Sequence, residues 1–331
     1  MLATGAKEEV CGMYLVGVDL GGTNIATALM DGKGNIIARR KTDTEAGKGP
    51  EKVMQNMIDS IYDVLGDKGI DSIRGIGLGI PGLVNPPKGI CLFAGNLGWG
   101  RNIPVIDRFA AEFKVPVFMD NDVRVATLGE KHFGAGRGVA NLICITLGTG
   151  VGSGIIIDGK LHRGSTWNAG EIGHTTVFKD GLLCNCGNRG CLELYVSATG
   201  IARRAREYIQ SGNFTLMAEL VGHDLSKITS RTVSEACDLG DKLAIYIMEE
   251  TAEILGIAVA NYVDILNPEL VIIGGGVSLV GDKLLVPLRR FVEQRAMRDL
   301  GKMVRIVRAE LGDESGMVGA GALVMENMGL I

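Results

Sequence analysis

The chain lacks what would send it to a membrane or to nucleic acid. No run approaches the roughly 20 apolar residues of a spanning helix. Among the most apolar stretches, LICITLGTGVGSGIII (142–157) is broken by glycines and reads as a buried strand pair. The opening MLATGAKEEVCG places acidic residues where a signal peptide carries its apolar run. Positive charge is not in excess: 34 Lys and Arg stand against 38 Asp and Glu, a net charge of −4. No basic face is implied, so neither nucleic acid nor a membrane is an expected partner. Two nucleotide signatures are also missing. GxxxxGK[ST] is absent, and no GxGxxG leads from a strand into a helix with the right partners, which excludes a Walker A loop and a Rossmann fingerprint. Disulfide staples are not needed by a chain of 331 residues, and its 7 cysteines are an odd number. A reducing, cytoplasmic setting follows. Cys11, Cys91, Cys144 and Cys237 are scattered and read as buried small apolar residues.

What is present is a well-packed α/β pattern, 46% hydrophobic and 22% charged, with no low-complexity linker. Strands are expected at Met13–Asp19, Ile25–Met30 and Asn35–Thr42. A helix follows from Pro50, with Val53, Met54, Met57, Ile58, Ile61, Val64 and Leu65 at helical spacing and Gly66 at its end. Ile73–Ile80 reads as a buried strand, giving the order β-β-β-α-β. LVGVDLGGTNIATAL (15–29) and LICITLGTGVGSGII (142–156) share a plan of strand, Gly/Thr turn and strand. Their turns lie 127 residues apart, which suggests two related lobes. Further on, a helix is expected at about 241–266, strands at Glu269–Ile273 and Val304–Val307, and a last helix from about Ser315 to Met328.

Three turns carry the chemistry of phosphate binding. In DLGGTN (19–24), Gly21 and Gly22 let backbone N–H groups approach phosphate oxygens, and Thr23 and Asn24 add side-chain donors. Asp19 could hold Mg²⁺ through water. LGTGVGSG (147–154) repeats that chemistry at Gly148, Thr149 and Gly150, and GGGV (274–277) leaves backbone open to an adenosine at Gly274, Gly275 and Gly276. A plain Gly-rich hairpin is the alternative for each turn taken alone. At Asp120-Asn121-Asp122 a strand runs into a helix, where Asp120 or Asn121 would serve as N-cap. Asp122 is a candidate general base toward a sugar hydroxyl, and Asn121 a donor and acceptor to the sugar. GEIGH (170–174) followed by CNCGNRGCLE (184–193) gives His-x9-Cys-x-Cys-x4-Cys through His174, Cys184, Cys186 and Cys191. A Cys₃His set suits a structural Zn²⁺ with no open position, and a Gly-rich loop needs such a staple. The metal would fix Glu171, His174 and Glu193 as a wall for sugar hydroxyls. Three buried or redox thiols in a loop are the alternative.

These residues resemble the ROK-family sugar kinases (repressor, open reading frame, kinase), and among them the bacterial ATP-dependent kinases that act on glucose. The resemblance runs from about residue 13 to the end. It rests on GEIGH with CNCGNRGCLE, and on DLGGTN, GIPGLV (79–84), the NDV of 121–123 and VIIGGGVS (271–278). It implies an actin-like, ribonuclease H-like two-lobed fold with a duplicated β-β-β-α-β-α core and a zinc-bound loop, sugar and ATP lying in the cleft. By it Asp122 is the base, Asn121, Glu171, His174 and Glu193 bind the sugar, and His174, Cys184, Cys186 and Cys191 hold zinc. The stretch AGNLGWG (94–100) is expected to border the sugar, with Asn96 as a contact. Trp99 lies either near the sugar or in plain lobe packing. The C-terminal helix is implied to return to the first lobe, so residues 1–122 with about 315–331 form one lobe and 123–314 the other. Homodimers or homotetramers are also implied. The reaction expected is transfer from Mg-ATP to glucose. Kinases for fructose, allose, N-acetylmannosamine or N-acetylglucosamine share most of these residues, and a non-catalytic sugar-responsive regulator is a further reading. A repressor would carry a DNA-binding domain ahead of the phosphate turn, for which the 18 residues before Asp19 leave no room. Asp120, Val123 and Arg124 depart from the Glu-Asn-Asp-Ala-Asn common at this junction in the family.

Overall fold

The computed structural model describes residues 14–331. The N-terminal tail with Cys11, and Met13 at the start of the first expected strand, lie outside the described residues. The chain divides into two compact units. One holds the chain up to Gly138, Lys160–Ala169 and Glu310–Ile331; the other holds Val139–Gly159 and Gly170–Ala309.

In the first unit, β1 (Tyr14–Leu20), β2 (Asn24–Asp31) and β3 (Ile36–Asp43) form an antiparallel meander. Helix α1 (Pro50–Leu65) follows, then β4 (Ile73–Ile80), helix α2 (Val105–Phe113) and β5 (Val117–Asn121). The sheet order is β3-β2-β1-β4-β5, with β1, β4 and β5 mutually parallel along it. Helix α1 forms where the 3.6-residue spacing of apolar side chains demands it. Pro50 starts it without wasting an N–H, Gly66 ends it, and all seven expected residues are buried.

Helix α3 (Asp122–Phe133) leaves β5 at once and packs beside α7 (Ser315–Asn327), which also lies on β1 and β4. That packing keeps residues 122–138 in the first unit, so the chain first leaves it after Gly138 rather than at 122 as expected from the sequence. Buried Glu130 of α3 secures this arrangement. Its carboxylate accepts the backbone N–H groups of Ala135, Glu310 and Leu311, tying together the stretch where the chain departs and the point where it returns.

In the second unit, β6 (Leu142–Leu147) and β7 (Val151–Ile157) pair antiparallel; β8 (Leu270–Gly274) lies parallel to β6, and β9 (Arg305–Arg308) parallel to β8. The order β7-β6-β8-β9 repeats β2-β1-β4-β5 of the first unit. The largest helix here runs from Lys242 to Leu266. Asp241 caps its start, Asn267 ends it in the left-handed region, and its long buried face accounts for the apolar residues that dominate it. Each unit has its own hydrophobic core. No helix among the described residues is long and apolar enough to cross a membrane. Cys91, Cys144 and Cys237 are buried, as expected of small apolar residues.

Candidate active site

The expected site residues fall into two sets, one in each unit. In the first unit the sheet delivers Asp19, the turn at 21–24, Asn121 and Asp122. The chain leaves β1 through Gly21-Gly22-Thr23, and the Gly21 N–H closes the turn onto Asn24 O at 2.9 Å. Thr44, fully buried, braces it from below. Its N–H donates to Thr23 O at 2.8 Å and its hydroxyl to Gly21 O at 2.7 Å. Sequence reasoning missed Thr44, which carries no motif of its own. Gly22 and Thr23 remain exposed, so this is a rigid turn that presents backbone to solvent. Asn96 is also exposed, and its carbonyl is the nearest atom to where a Cβ on Gly22 would stand, at 3.9 Å. Trp99 is a core residue of this unit, 2% exposed.

Asn121 is the N-cap of α3. Its Oδ1 accepts the N–H groups of Val123 and Arg124 at 3.0 and 3.2 Å, and its Nδ2 donates to Gly82 O at 3.1 Å. One Nδ2 hydrogen is left for a ligand. Asp120 does not cap; it is buried in an ion pair with Arg124 and Arg163. Asp122 opens α3 directly opposite the end of β1. A Cβ placed on Gly79 would lie 3.4 Å from both the Asp122 Cα and Asp19 Oδ1, so this β4 glycine leaves room between the Asp19 carboxylate and the backbone that carries Asp122. Gly316, at the start of α7, is required for the same reason: a Cβ there would stand 2.2 Å from Asp19 Oδ2. Burial, and then the Asp122 charge, push the Asp19 carboxyl up to about 7. A divalent cation reverses both effects, so the residues present fit one.

A 670 Å³ groove in the first unit lies elsewhere, along Val117–Met119 and the end of α7, and none of the expected site residues lines it.

In the second unit the turn after β6 is held by backbone bonds from Gly148 N to Gly150 O at 2.9 Å and from Ala198 N to Gly148 O at 2.8 Å. Glu193 Oε2 accepts the Val151 N–H at 2.9 Å, and a Cβ on Gly150 would come within 2.4 Å of it. Glu193 therefore braces the turn at Gly148, Thr149 and Gly150, a role the sequence did not suggest. Gly274 pairs with Thr146 across the sheet. Gly275, at φ 76°, sits so close to Leu147 that a Cβ would approach its backbone to 2.6 Å. The glycines at 148–150 and 274–276 thus form one patch of backbone without side chains. Exposed Glu171 precedes the short helix Ile172–His174.

His174, Cys184, Cys186 and Cys191 come together as expected, with their ligand atoms all within 4.8 Å of one another. His174 Nδ1 lies 3.7 Å from Cys184 Sγ, and Cys186 Sγ lies 3.6 Å from Cys191 Sγ. This leaves Nε2 as the second ring nitrogen of His174. Burial, with the neighbouring thiols, pushes the Cys191 thiol up to about 12, whereas the Asn188 backbone N–H holds Cys186 below its usual value. Three clustered thiols ionise together only around a cation, so the donor set fits a metal ion.

The ROK family model matches residues 15–327. The chain is 39% identical to a glucokinase from Halalkalibacterium halodurans over 317 residues, 95% of each chain. It is 34% identical to a xylose repressor from Caldicellulosiruptor bescii over 95% of this chain and 78% of the repressor. Among solved structures, a ROK family glucokinase from Streptomyces griseus in complex with glucose and AMPPNP superposes with a TM-score of 0.83 at 33% identity, covering 95% of this chain and 99% of that one.

Proposed function

The chain belongs to the ROK family, and from that premise we propose that it transfers the γ-phosphoryl group of ATP to the 6-hydroxyl of glucose, yielding glucose 6-phosphate and ADP. The nearness of Asp122 to the Asp19 carboxylate across Gly79, beside the braced turn at 21–24, carries this reading. Asp122 accepts the 6-hydroxyl proton as the oxygen attacks the γ-phosphorus. The bond to the ADP oxygen breaks, and the proton passes to solvent after product leaves. Asp19 would hold Mg²⁺ through water, and the cation when bound neutralises charge on the phosphates. Gly21, Gly22, Thr23 and Asn24 with Gly148, Thr149 and Gly150 serve the phosphates, and Gly274, Gly275 and Gly276 the adenosine. Asn96, Asn121, Glu171, His174 and Glu193 bind the sugar.

The metal held by His174, Cys184, Cys186 and Cys191 is Zn²⁺ on this reading. Three thiolates and one imidazole, with Cys186 Sγ and Cys191 Sγ 3.6 Å apart, would suit that ion. With four protein donors its role would be structural, and the order it would give to the loop between His174 and Cys191 would be passed to Glu171 and Glu193.

ADP release from Mg-ATP across glucose, mannose, fructose, N-acetylmannosamine and N-acetylglucosamine tests the proposal. Turnover is expected with glucose. Asp122→Asn is expected to lower kcat by about 10²–10⁴, the range for loss of a general base. Turnover confined to another sugar would correct the acceptor and keep the mechanism. No turnover with any of them would favour a sugar-responsive regulator.

A further inference from the structure

The strand end that leads through Asn121 into Asp122 also carries a carboxylate to which no direct part in the phosphoryl transfer has been given. Asp120 is fully buried at the end of β5. Its Oδ1 accepts from Arg124 Nε at 2.7 Å and from the Asn121 backbone N–H at 2.8 Å; its Oδ2 accepts from Arg163 Nε at 2.6 Å. Arg124 is 1% exposed, and its Nη1 donates to Ala169 O at 3.5 Å. Ala169 is the residue before Gly170-Glu171 in sequence. Arg163 is 22% exposed and stacks over Trp167, guanidinium carbon to ring centroid 5.9 Å. Trp167 takes φ 65°, unusual for so large a residue, in presenting that ring.

This cluster is a weak source of stability. A buried ion pair is often matched by well-packed apolar residues. Here Arg124 Nη2 is also buried with no partner among the described residues, a further penalty. What the cluster supplies is geometry. Asp120 fixes the peptide entering Asn121, and the Asn121 side chain fixes the two N–H groups after Asp122. The base therefore stands on backbone held from both sides.

We propose that Arg163 is a positioning residue for the transfer, acting through Asp120. Its Nε–H contact holds Oδ2, so that Oδ1 stays on the Asn121 N–H and Asp122 keeps its aim. Without that cation the carboxylate is free to swing toward Arg124 alone, and the Asn121 peptide loses its orientation. Displacement of a catalytic group by about 1 Å is enough to slow a reaction about a hundredfold. The inference rests on the reading of Asp122 as the base.

The test is steady-state kinetics of Arg163→Gln, Arg163→Lys, Asp120→Asn and the Asp120→Asn/Arg163→Gln double variant on the full chain with Mg-ATP and glucose. Arg163→Gln is expected to lower kcat about 10–100-fold, with the KM for ATP within about twofold and the thermal midpoint little changed, since this side chain is partly exposed. Arg163→Lys regains most of the rate, because one N–H contact at Oδ2 is within reach of an ammonium. The double variant is no slower than Asp120→Asn alone. Unchanged kcat in Arg163→Gln overturns the proposal. So does a loss shared equally by the KM for ATP and the thermal midpoint without rescue by lysine. Asp122→Asn in the same assay separates the two readings: near-normal turnover there removes the base assignment itself, whereas an inactive Asp122→Asn beside a fully active Arg163→Gln removes only the role of Arg163.

Discussion

Asp19 shows how one residue is set against the stability of its own fold. Its carboxyl is raised from an ordinary 3.8 to about 7 by burial and by Asp122. A raised carboxyl favours the protonated native state, so its charged form brings no penalty below pH 3.8. As pH climbs from there to about 7 the penalty grows, by about 1.4 kcal/mol for each pH unit, and above that it is complete. Asp19→Asn removes the charge. Without nucleotide or added Mg²⁺, the variant is therefore expected to gain thermal stability over the parent, and to gain more at about pH 8 than at about pH 5, on either side of the raised value, while Mg-ATP turnover falls. Melting curves at the two pH values check this. An equal or smaller gain on the alkaline side would show that burial and the Asp122 charge do not raise the Asp19 carboxyl in the folded chain.

At the scale of elements, close backbone approach decides what packs where. Helix α7 comes against the sheet and α3 with backbone nearly touching backbone at particular glycines. A Cβ on Gly77 would fall 1.8 Å from Ala320 O, and one on Gly319 would fall 1.7 Å from Val125 O. Gly319→Ala is expected to destabilise by more than about 3 kcal/mol, as backbone must move to admit the methyl. Gly47→Ala, with nothing within 4 Å, is expected to be near neutral. Urea midpoints of the two variants compare them directly, and a mild Gly319→Ala would mean that α7 can slide. The strands, α1 and the start of α3 were legible because their signals are local: alternation, 3.6-residue spacing, and an Asx residue at a strand end. The place where the chain leaves the first unit was not, because it depends on Glu130 reaching Ala135, Glu310 and Leu311, contacts that span up to 181 positions. Arg163 and Thr44 were hidden for the same reason. An arginine or a threonine gains its role only from the partner the fold supplies.

For the molecule as a whole, the repeated strand order in the two units places a glycine turn after the first strand of each, Leu20 and Leu147 ending the strands that feed them. The pairing of similar turns was readable from sequence because a turn that exposes backbone must be written in glycine. The loop of the second unit follows different physics. Between His174 and Cys191 the chain forms only isolated bridges, Thr176 with Cys191 and Leu183 with Arg189, and Leu182 and Leu183 stay exposed. Little apolar burial is available to hold it, so on the proposed reading a metal bound by His174 and the three cysteines would supply much of its order. That dependence should be felt selectively. Glu193 touches the chelating loop two residues after Cys191 and the Val151 N–H beyond the second turn, whereas the turn at 21–24 is braced by Thr44 with no share in the loop. Removing the ion with a chelator, or replacing Cys186 with Ser, is therefore expected to raise the KM for glucose at least tenfold, about 1.4 kcal/mol, and the KM for ATP by a smaller factor, since only the Glu193-braced turn at 148–150 and not the turn at 21–24 is disturbed. Titrating glucose and ATP separately against protein assayed for bound zinc reads the two effects apart. Zinc-free protein with unaltered glucose affinity would confine the CNCGNRGCLE knuckle to holding itself together.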